Sequence, residues 1–167
     1  MTAGPDELRT ERLILRPLTR QVAQDVVTGR RRPEWALGFP QAGDRTVARL
    51  WLAGAEATAD PAPIGPWGAY EVWTLLGVCI GTAGFHGPPY EGEVEIGYGI
   101  AAGHRGRGLA TEAAGALVDL ARAHRVARVV GRVDAGNASS QRLLHRLGFH
   151  VVGATGPEVL MALPLTG

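Results

Sequence analysis

The residues best suited to chemistry lie in a short stretch rich in glycine and arginine. It reads His-Arg-Gly-Arg-Gly-Leu-Ala-Thr over 104–111 and contains Arg105 and Arg107. The segment before it, 94–100, has an apolar, extended pattern, and the segment after it, 109–125, has a strongly helical one. The first N–H groups of a helix have no partner within the helix, and the helix dipole places partial positive charge there. Because glycines let a bulky anion approach the main chain, we interpret this turn as a pyrophosphate site.

Two further pairs of polar residues could take part in a reaction. Glu93 and Glu95 are two apart on an extended segment and so share one face, and a carboxylate in a partly apolar site can accept a proton. Asn137 and Ser140 are three apart at the start of a helical segment and also share a face. Each has a structural alternative: a solvent-facing carboxylate, an asparagine helix cap, or a serine bonded to its own helix.

Three phosphate-binding patterns compete for the glycine-rich stretch. A P-loop requires lysine, and all 17 basic side chains of this protein are arginines, which also excludes a lysine base or Schiff base. The dinucleotide pattern G-x-G-x-x-G/A fits 97–102, but there it lies in the strand instead of the turn that opens the helix. A nicotinamide-dependent oxidoreductase is therefore a disfavoured alternative. The third pattern, Q/R-x-x-G-x-G/A, is satisfied by 105–110.

With its surroundings, the third pattern resembles the GNAT superfamily of acetyl-CoA-dependent N-acetyltransferases. The similar blocks are Glu-Ile-Gly-Tyr at 95–98, Thr-Glu-Ala at 111–113, Asn-Ala-Ser-Ser at 137–140 and Leu-Gly-Phe at 147–149. The opening Thr-Glu-Arg-Leu-Ile-Leu-Arg-Pro-Leu at 10–18 is similar to the start of the RimJ/RimL-like branch, which acetylates protein N-termini and various small amines. The resemblance fades between 30 and 66.

The resemblance implies roles for the candidate residues. The amides of 105–111 would bind the pyrophosphate of coenzyme A, Asn137 would bind its pantetheine, and the strand edge near Ile100 and Ala101 would pair with the pantetheine amides. A main-chain N–H at that edge would stabilise the thioester oxygen. The predicted CoA-binding residues are Ile100, Ala101, Arg105, Gly106, Arg107, Gly108, Leu109, Ala110, Thr111, Asn137 and Ser140.

The predicted catalytic residues are Glu95 and Ser140. Glu95 would be the base that takes the proton of the amine, directly or through a water, as a carboxylate on this strand often does in the family. Many members place a tyrosine shortly before the Gly-Phe pair to protonate the leaving thiolate, but this chain has Leu144 there. We name Ser140, similar to a serine of the RimL-like branch, as its substitute.

These roles predict an enzyme that transfers an acetyl group from acetyl-CoA to a primary amine by direct attack, with no metal and no covalent enzyme intermediate. The alternative is an acyl-CoA-binding sensor or regulatory domain with weak catalysis.

The identity of the acceptor, a protein N-terminus or a small molecule, stays open. The residues that select it should lie in 30–66 and 87–92. His86 would line the acceptor pocket or lie on the surface, and Trp35, Phe39 and Trp67 would contact the acceptor or fill the core. The three arginines at 30–32 would be solvated or bind anions.

Composition narrows the class of protein. A net charge of +1 argues against nucleic-acid and membrane-surface partners. Cys79, the one cysteine, precludes an intramolecular disulfide and fits a buried thiol, and the five histidines show no zinc-ligand spacing. The polar, acidic start is unlike a signal peptide, so we expect a cytoplasmic protein. The resemblance also implies a homodimer.

The patterns predict one α/β (α+β) domain over 1–167, with a mixed, mostly antiparallel twisted sheet of about seven strands and about four helices. A first strand within 8–18 should stop at Pro17, and a helix capped by Thr19 should run to about 28. Asp44 should cap a second helix, followed by a proline-rich connection. The remaining strands are expected at 67–75, 78–85, 93–101, 128–133, 149–154 and 159–165, and the helices at 45–58, 109–125 and 137–147.

Overall fold

The structure, a computed structural model, describes residues 6–56 and 65–166. Over these residues the chain forms eight β-strands and four α-helices. The predicted end of the second helix at 58 and most of the proline-rich connection lie outside the described residues. The strands are β1 (Leu8–Arg9), β2 (Leu13–Pro17), β3 (Ala69–Thr74), β4 (Cys79–Phe85), β5 (Glu93–Ile100), β6 (Arg128–Asp134), β7 (His150–Thr155) and β8 (Glu158–Pro164). The helices are α1 (Arg20–Thr28), α2 (Ala42–Glu56), α3 (Leu109–Ala123) and α4 (Ala138–Arg146).

All eight strands belong to one sheet, in the order β1-β2-β3-β4-β5-β6-β8-β7. The predicted mixed, mostly antiparallel sheet is confirmed: within the described part of the chain, β5 and β6 form the parallel pair and every other neighbouring pair is antiparallel. The eighth strand arises because the predicted first strand is divided by a tight turn. In that turn the Thr10 N–H donates to the Leu13 carbonyl at 3.0 Å.

The parallel pair β5 and β6 is short, and this shortness creates a gap in the sheet. The two strands are in register at three positions, Glu93 to Glu95 against Arg128 to Val130. Beyond Glu95, β5 continues beside β4 as far as Ile100. The second half of β5 therefore has one edge without a neighbouring strand.

Side chains cap the starts of α1 and α2, and one of the two predicted caps is placed differently in the structure. Thr19 caps α1 as predicted, its hydroxyl accepting from the Val22 N–H at 3.3 Å. The prediction that Asp44 precedes the second helix is wrong, because α2 begins at Ala42 and Asp44 lies in its first turn. There its Oδ2 accepts from the Gln41 N–H at 2.7 Å, so the carboxylate reaches back to the helix start as in a capping box.

The central helix α3 packs against β2, β4 and β5. Its apolar residues recur at helical spacing, which gives it one buried face and one exposed face. The buried residues are Leu109, Ala113, Ala114, Leu117, Val118 and Ala121. This packing fixes the start of α3 beside the open edge of β5.

Candidate active site

The first main-chain amides of α3, which follow the glycine-rich loop, have no hydrogen-bond partner within the helix. The first helical bond runs from the Glu112 N–H to the Gly108 carbonyl at 3.0 Å, so the amides of Leu109, Ala110 and Thr111 precede the intrahelical ladder. Gly108 caps the helix in the left-handed conformation, with φ of 75°, and Gly106 has φ of 74°. Glycine adopts this conformation without strain, and these two residues turn the chain into the helix.

A cavity of about 500 Å³ opens beside this loop, and we call it the helix-start cavity. Nine of the eleven predicted CoA-binding residues line it. Its full lining is Tyr98, Gly99, Ile100, His104, Arg105, Gly106, Gly108, Leu109, Ala110, Thr111, Asn137, Ser139, Ser140, Leu143 and Arg146. Residues from β5, the glycine loop, α3 and α4 thus meet around one space.

Arg107 and Ala101 are the two predicted residues outside that lining. Arg107 is exposed, and its carbonyl accepts a hydrogen bond from Arg12 at 2.8 Å. Ala101 is fully buried, and its N–H donates to the Ile80 carbonyl at 2.7 Å, so this amide already has a partner.

Arg12, directly before β2, ties the loop to the helix behind it. Its Nε donates to Glu112 Oε2 at 2.6 Å and its main-chain N–H donates to Glu112 Oε1 at 2.7 Å. The Thr10 hydroxyl donates to the same Oε1 at 2.5 Å. These donors lower the pKa of Glu112 against the opposing effect of burial, which is the larger single influence. The negative charge of Glu112 in the first turn of α3 is thereby balanced by the positive charge of Arg12.

Arg105 is also held by side-chain contacts. Its Nε donates to the Ile100 carbonyl at 2.8 Å and one terminal nitrogen donates to Gln41 Oε1 at 2.6 Å. Gln41 in turn donates to the same carbonyl at 3.1 Å. The guanidinium is therefore fixed at the wall of the helix-start cavity, between β5 and the start of α2.

The open edge of β5 carries main-chain groups that face the gap. His86 donates its N–H to the Glu95 carbonyl at 3.0 Å, and the Ala101 N–H bonds Ile80, so the odd-numbered residues of β5 pair with β4. In an antiparallel ladder the intervening residues direct their N–H and C=O the other way. The N–H and C=O of Tyr98 and the N–H of Ile100 are therefore directed toward the gap between β5 and β6, whereas the Ile100 carbonyl accepts from Arg105 and Gln41.

A second cavity of about 390 Å³ lies where α2 covers β4 and β5, and we call it the strand-face cavity. It is lined by Gln41, Gly43, Asp44, Val47, Thr82, Ala83, Gly84, Phe85, His86, Gly97, Tyr98, Gly99 and Arg105. Tyr98, Gly99 and Arg105 line both cavities, so the two spaces share a wall at the end of β5.

Asp44 is the carboxylate of the strand-face cavity. Its side chain is almost fully buried, and its Oδ1 accepts from the Thr82 hydroxyl at 2.5 Å. Burial raises the pKa of Asp44, against the lowering effect of the Thr82 and Gln41 hydrogen bonds. This cavity therefore combines glycine-lined walls with one buried acidic group.

Glu95, the predicted base, lies beside the strand-face cavity and is not part of its lining. Its Oε1 is 3.1 Å from His86 Nδ1, and its Oε2 accepts from Arg132 Nε at 3.3 Å. The hydrogen bond with His86 is the main cause that lowers the pKa of Glu95, and the nearby Arg132 adds to it. Glu93 forms an ion pair with Arg128 instead.

Ser140 forms a hydroxyl pair with Tyr98 across the helix-start cavity. The two oxygens are 2.7 Å apart, one on α4 and the other on β5. Burial raises the pKa of Tyr98, against the lowering effect of the Ser140 hydrogen bond. Asn137 caps α4, its Oδ1 accepting from the Ser140 N–H at 3.0 Å, and also lines the cavity. Leu144 is fully buried and does not line either cavity.

Several candidates for acceptor contact are structural. Trp35 and Phe39 are buried and pack edge to face at 5.0 Å, which confirms the core alternative for both. Arg31 donates to three carbonyls of the 35–39 loop, and Arg32 forms an ion pair with Asp25 at 2.6 Å. The Cys79 thiol is buried, which raises its pKa.

The described residues contain neither a metal-binding cluster nor a membrane-spanning helix. No group of three or more His, Cys, Asp or Glu side chains at 6–56 and 65–166 is placed to hold a metal ion. None of the helices in that part of the chain is long and apolar enough to cross a membrane.

Sequence reasoning missed three residues that the structure brings to the site. Tyr98 and Arg12 both stand inside the motifs that carried the resemblance, but a motif does not show which hydroxyl or carbonyl a side chain will reach. For Asp44, the sequence predicts a helix cap and no role in a cavity. Its second contact, to Thr82, joins positions 38 residues apart and depends on how α2 packs.

The comparisons with known proteins agree with this architecture. A model of the acetyltransferase (GNAT) domain matches residues 12–150, so the chain belongs to the GNAT acetyltransferase family. The uncharacterized N-acetyltransferase YjdG of Bacillus subtilis strain 168 is 39% identical over 72 residues, which are 42% of this chain and 43% of YjdG. The match thus spans less than half of that relative.

Solved structures match over nearly the whole chain. An acetyltransferase from Agrobacterium tumefaciens C58 has a TM-score of 0.64 and 26% identity, covering 98% of this chain and 96% of its own. RimL, a ribosomal L7/L12 alpha-N-protein acetyltransferase in complex with coenzyme A, has a TM-score of 0.67 over 95% of this chain and 97% of its own. At 17% identity, RimL shows the fold alone.

Proposed function

We propose that this protein is an acetyl-CoA-dependent N-acetyltransferase of the RimJ/RimL-like branch whose acceptor is a primary amine. The observation that carries the proposal is the pair of cavities that share Tyr98, Gly99 and Arg105. One cavity contains the free amides of a helix start, and the other contains a buried carboxylate. Two substrates bound in them would meet at the shared wall.

The helix-start cavity fits coenzyme A. A pyrophosphate needs several N–H donors and positive charge, which the amides at 109–111, the helix dipole and Arg105 supply. The pantetheine carries amides that need both donors and acceptors, and the open edge of β5 offers the main-chain N–H and C=O of Tyr98 and the N–H of Ile100. Asn137 and Ser140 would bind the same arm from α4. When bound, acetyl-CoA supplies the thioester whose acetyl group is transferred.

The reaction forms a bond between the amine nitrogen and the acetyl carbon and breaks the carbon–sulfur bond of the thioester. The nitrogen loses a proton, and the departing thiolate gains one. The Tyr98–Ser140 hydroxyl pair is the donor we assign to the thiolate, because it lies at the shared wall and occupies the role that Leu144 cannot fill. Oriented N–H groups on β5 stabilise the negative charge that develops on the carbonyl oxygen.

The test is an assay of free thiol release from acetyl-CoA with a panel of acceptors: small primary amines, polyamines and peptides with free N-termini. We expect release well above the acceptor-free rate with at least one member. Calorimetric binding of acetyl-CoA with no thiol release across the panel would instead support the acyl-CoA sensor. The predicted homodimer stays a prediction, which light scattering in solution can check.

A further inference from the structure

The geometry points to His86 as the catalytic base of this site and to Glu95 as the residue that positions it. This inference rests on the proposed function and changes one part of it. The sequence predicts that the Glu95 carboxylate takes the proton of the amine, directly or through a water. The contacts of the two side chains support a different division of roles.

The carboxylate of Glu95 has both oxygens engaged. Oε1 is 3.1 Å from His86 Nδ1 and Oε2 accepts from Arg132 Nε, and the side chain does not line the strand-face cavity. A carboxylate held in this way is a weaker base, in keeping with its lowered pKa, of which the His86 hydrogen bond is the main cause. It is well placed to hold an imidazole.

His86, unlike Glu95, lies in the lining of the strand-face cavity. It follows β4 directly and lines the strand-face cavity, and its side chain is about half exposed, at 48%. The Nδ1 edge faces Glu95, so Nε2, which lies against Gly97 at the lining of the cavity, is the nitrogen that remains to meet a substrate. A carboxylate that accepts from Nδ1–H selects the tautomer with an unprotonated Nε2 and stabilises the imidazolium formed later.

Gly97 shows how closely the imidazole packs on β5. A Cβ built at Gly97 would lie 2.7 Å from His86 Nε2, closer than a non-bonded contact allows. The ring therefore lies over the Gly97 backbone, two residues before Gly99 at the shared wall. Any side chain at position 97 would displace the imidazole from this place.

The proton transfer balances with the reaction. The amine nitrogen gives one proton to His86 Nε2, directly or through one water, as its bond to the acetyl carbon forms. The imidazolium then releases that proton to solvent through the open side of the cavity. The proton on sulfur comes from the Tyr98–Ser140 pair, which then takes one proton back from solvent, so both His86 and the pair return to their starting protonation states after one turnover.

In the described part of the chain, charged groups from several elements contact the imidazole, its carboxylate partner or its cavity. Glu95 of β5 contacts the imidazole directly, and Arg132 of β6 contacts Glu95. Asp44 of α2 and Arg105, which follows β5, line the same cavity. The acidic limb of the pH profile is therefore assigned to His86 only if His86→Ala removes it.

The test combines kinetics with nitrogen NMR. With an acceptor found in the panel assay, His86→Ala should lower kcat about a hundredfold, the ordinary contribution of a general base, and remove the acidic limb of the pH profile. Added imidazole should restore part of the rate. Glu95→Gln should lower kcat less, about tenfold, because the imidazole stays in place but loses the carboxylate that selects its tautomer.

Two controls separate a catalytic role from a structural one. His150→Ala removes an exposed histidine at the start of β7, which lines neither cavity, and should leave the profile unchanged. Gly97→Ala should reproduce the His86→Ala loss in kcat without changing the affinity for CoA. A His86→Ala enzyme that keeps the wild-type acidic limb would overturn the inference while leaving acetyl transfer intact.

Nitrogen-15 NMR of the free protein tests the same point without any substrate. In neutral His86 the proton should be on Nδ1, with Nε2 unprotonated, and Glu95→Gln should shift the population toward the other tautomer. A proton found on Nε2 in the wild-type protein would contradict the inference, even if no acceptor supported turnover.

Discussion

At the residue scale, the site depends on a few side chains that reach one another from different elements. The hydroxyls of Tyr98 and Ser140 are the clearest pair, 2.7 Å apart at the wall shared by the two cavities. A phenol and an alcohol in contact can pass a proton between them, which Leu144 could not do from its buried place. Under the proposed function, this pair is the local feature that would distinguish an enzyme from a binding domain.

We expect Tyr98→Phe to lower kcat about tenfold to a hundredfold, because proton transfer by a positioned group contributes at least that much. The ring and its packing remain, so the affinity for CoA should change little. Steady-state kinetics together with calorimetry will separate the two quantities. Tyr90→Phe is the matched control, since Tyr90 is 77% exposed and lines neither cavity. Equal kcat values for Tyr98→Phe and wild type would remove Tyr98 from the reaction.

At the element scale, β2 holds the loop that precedes α3. Arg12 connects the Arg107 carbonyl and the Glu112 carboxylate, which lie on either side of the helix start. The sequence shows Arg12 only as part of an opening motif. A contact across 95 residues or more depends on how the strand and the helix pack, so its role could not be read from the sequence.

Replacing Arg12 by alanine should weaken CoA binding about tenfold, since a hydrogen bond to a charged group is worth about 1.5–3 kcal/mol and only part of it bears on the loop. Calorimetric titration with CoA is the measurement. Arg9→Ala, which removes an exposed pair with Glu7 at 3.3 Å, serves as the control and should bind CoA as the wild type does. An unchanged dissociation constant for Arg12→Ala would mean that the loop holds its shape without β2.

Local patterns predicted most elements because their signals are short-range. The neighbours of Thr19 predict a cap, and those of Asn137 offer a cap as the alternative to pantetheine binding; both residues cap a helix in the structure. Asp44 was misplaced because its capping bond runs backward, to Gln41. The gap beside β5 had no local signal, since it depends on where β6 stops pairing.

At the scale of the whole molecule, the buried acidic groups link stability to pH. Glu71 on β3 is 5% exposed, and its Oε1 has no hydrogen-bond partner in the part of the chain that the structure describes. Burial raises its pKa, against the lowering effects of its polar neighbours and of the Arg32 charge. The folded protein therefore keeps a proton on Glu71 at pH values where the unfolded chain has lost it, so this group costs stability as pH rises through its folded pKa.

Glu71→Gln should raise the free energy of unfolding near neutral pH by about 1–3 kcal/mol, the order of the desolvation penalty of a buried polar group, because glutamine cannot ionise and so avoids the cost of burying a carboxylate. The advantage should shrink as pH falls toward the ordinary pKa of glutamate, because both side chains are then uncharged. Urea unfolding of both proteins measures this difference in stability. The pH should run from about 4, near the ordinary pKa of glutamate, to about 8. A difference that does not vary with pH would show that ionisation of Glu71 is not the cause.

The central claim is that main-chain amides at the start of α3 bind coenzyme A. The most direct measurement is calorimetric titration of CoA into the wild type, Gly108→Val and Gly103→Ala, with thermal unfolding to confirm that each variant folds. Gly108 is left-handed and lines the helix-start cavity, whereas Gly103 lies outside both cavities with open space around it. We predict saturable binding to the wild type and Gly103→Ala, and a loss of about tenfold or more in affinity for Gly108→Val. No heat of binding to the wild type, or equal affinities in all three proteins, would contradict the claim.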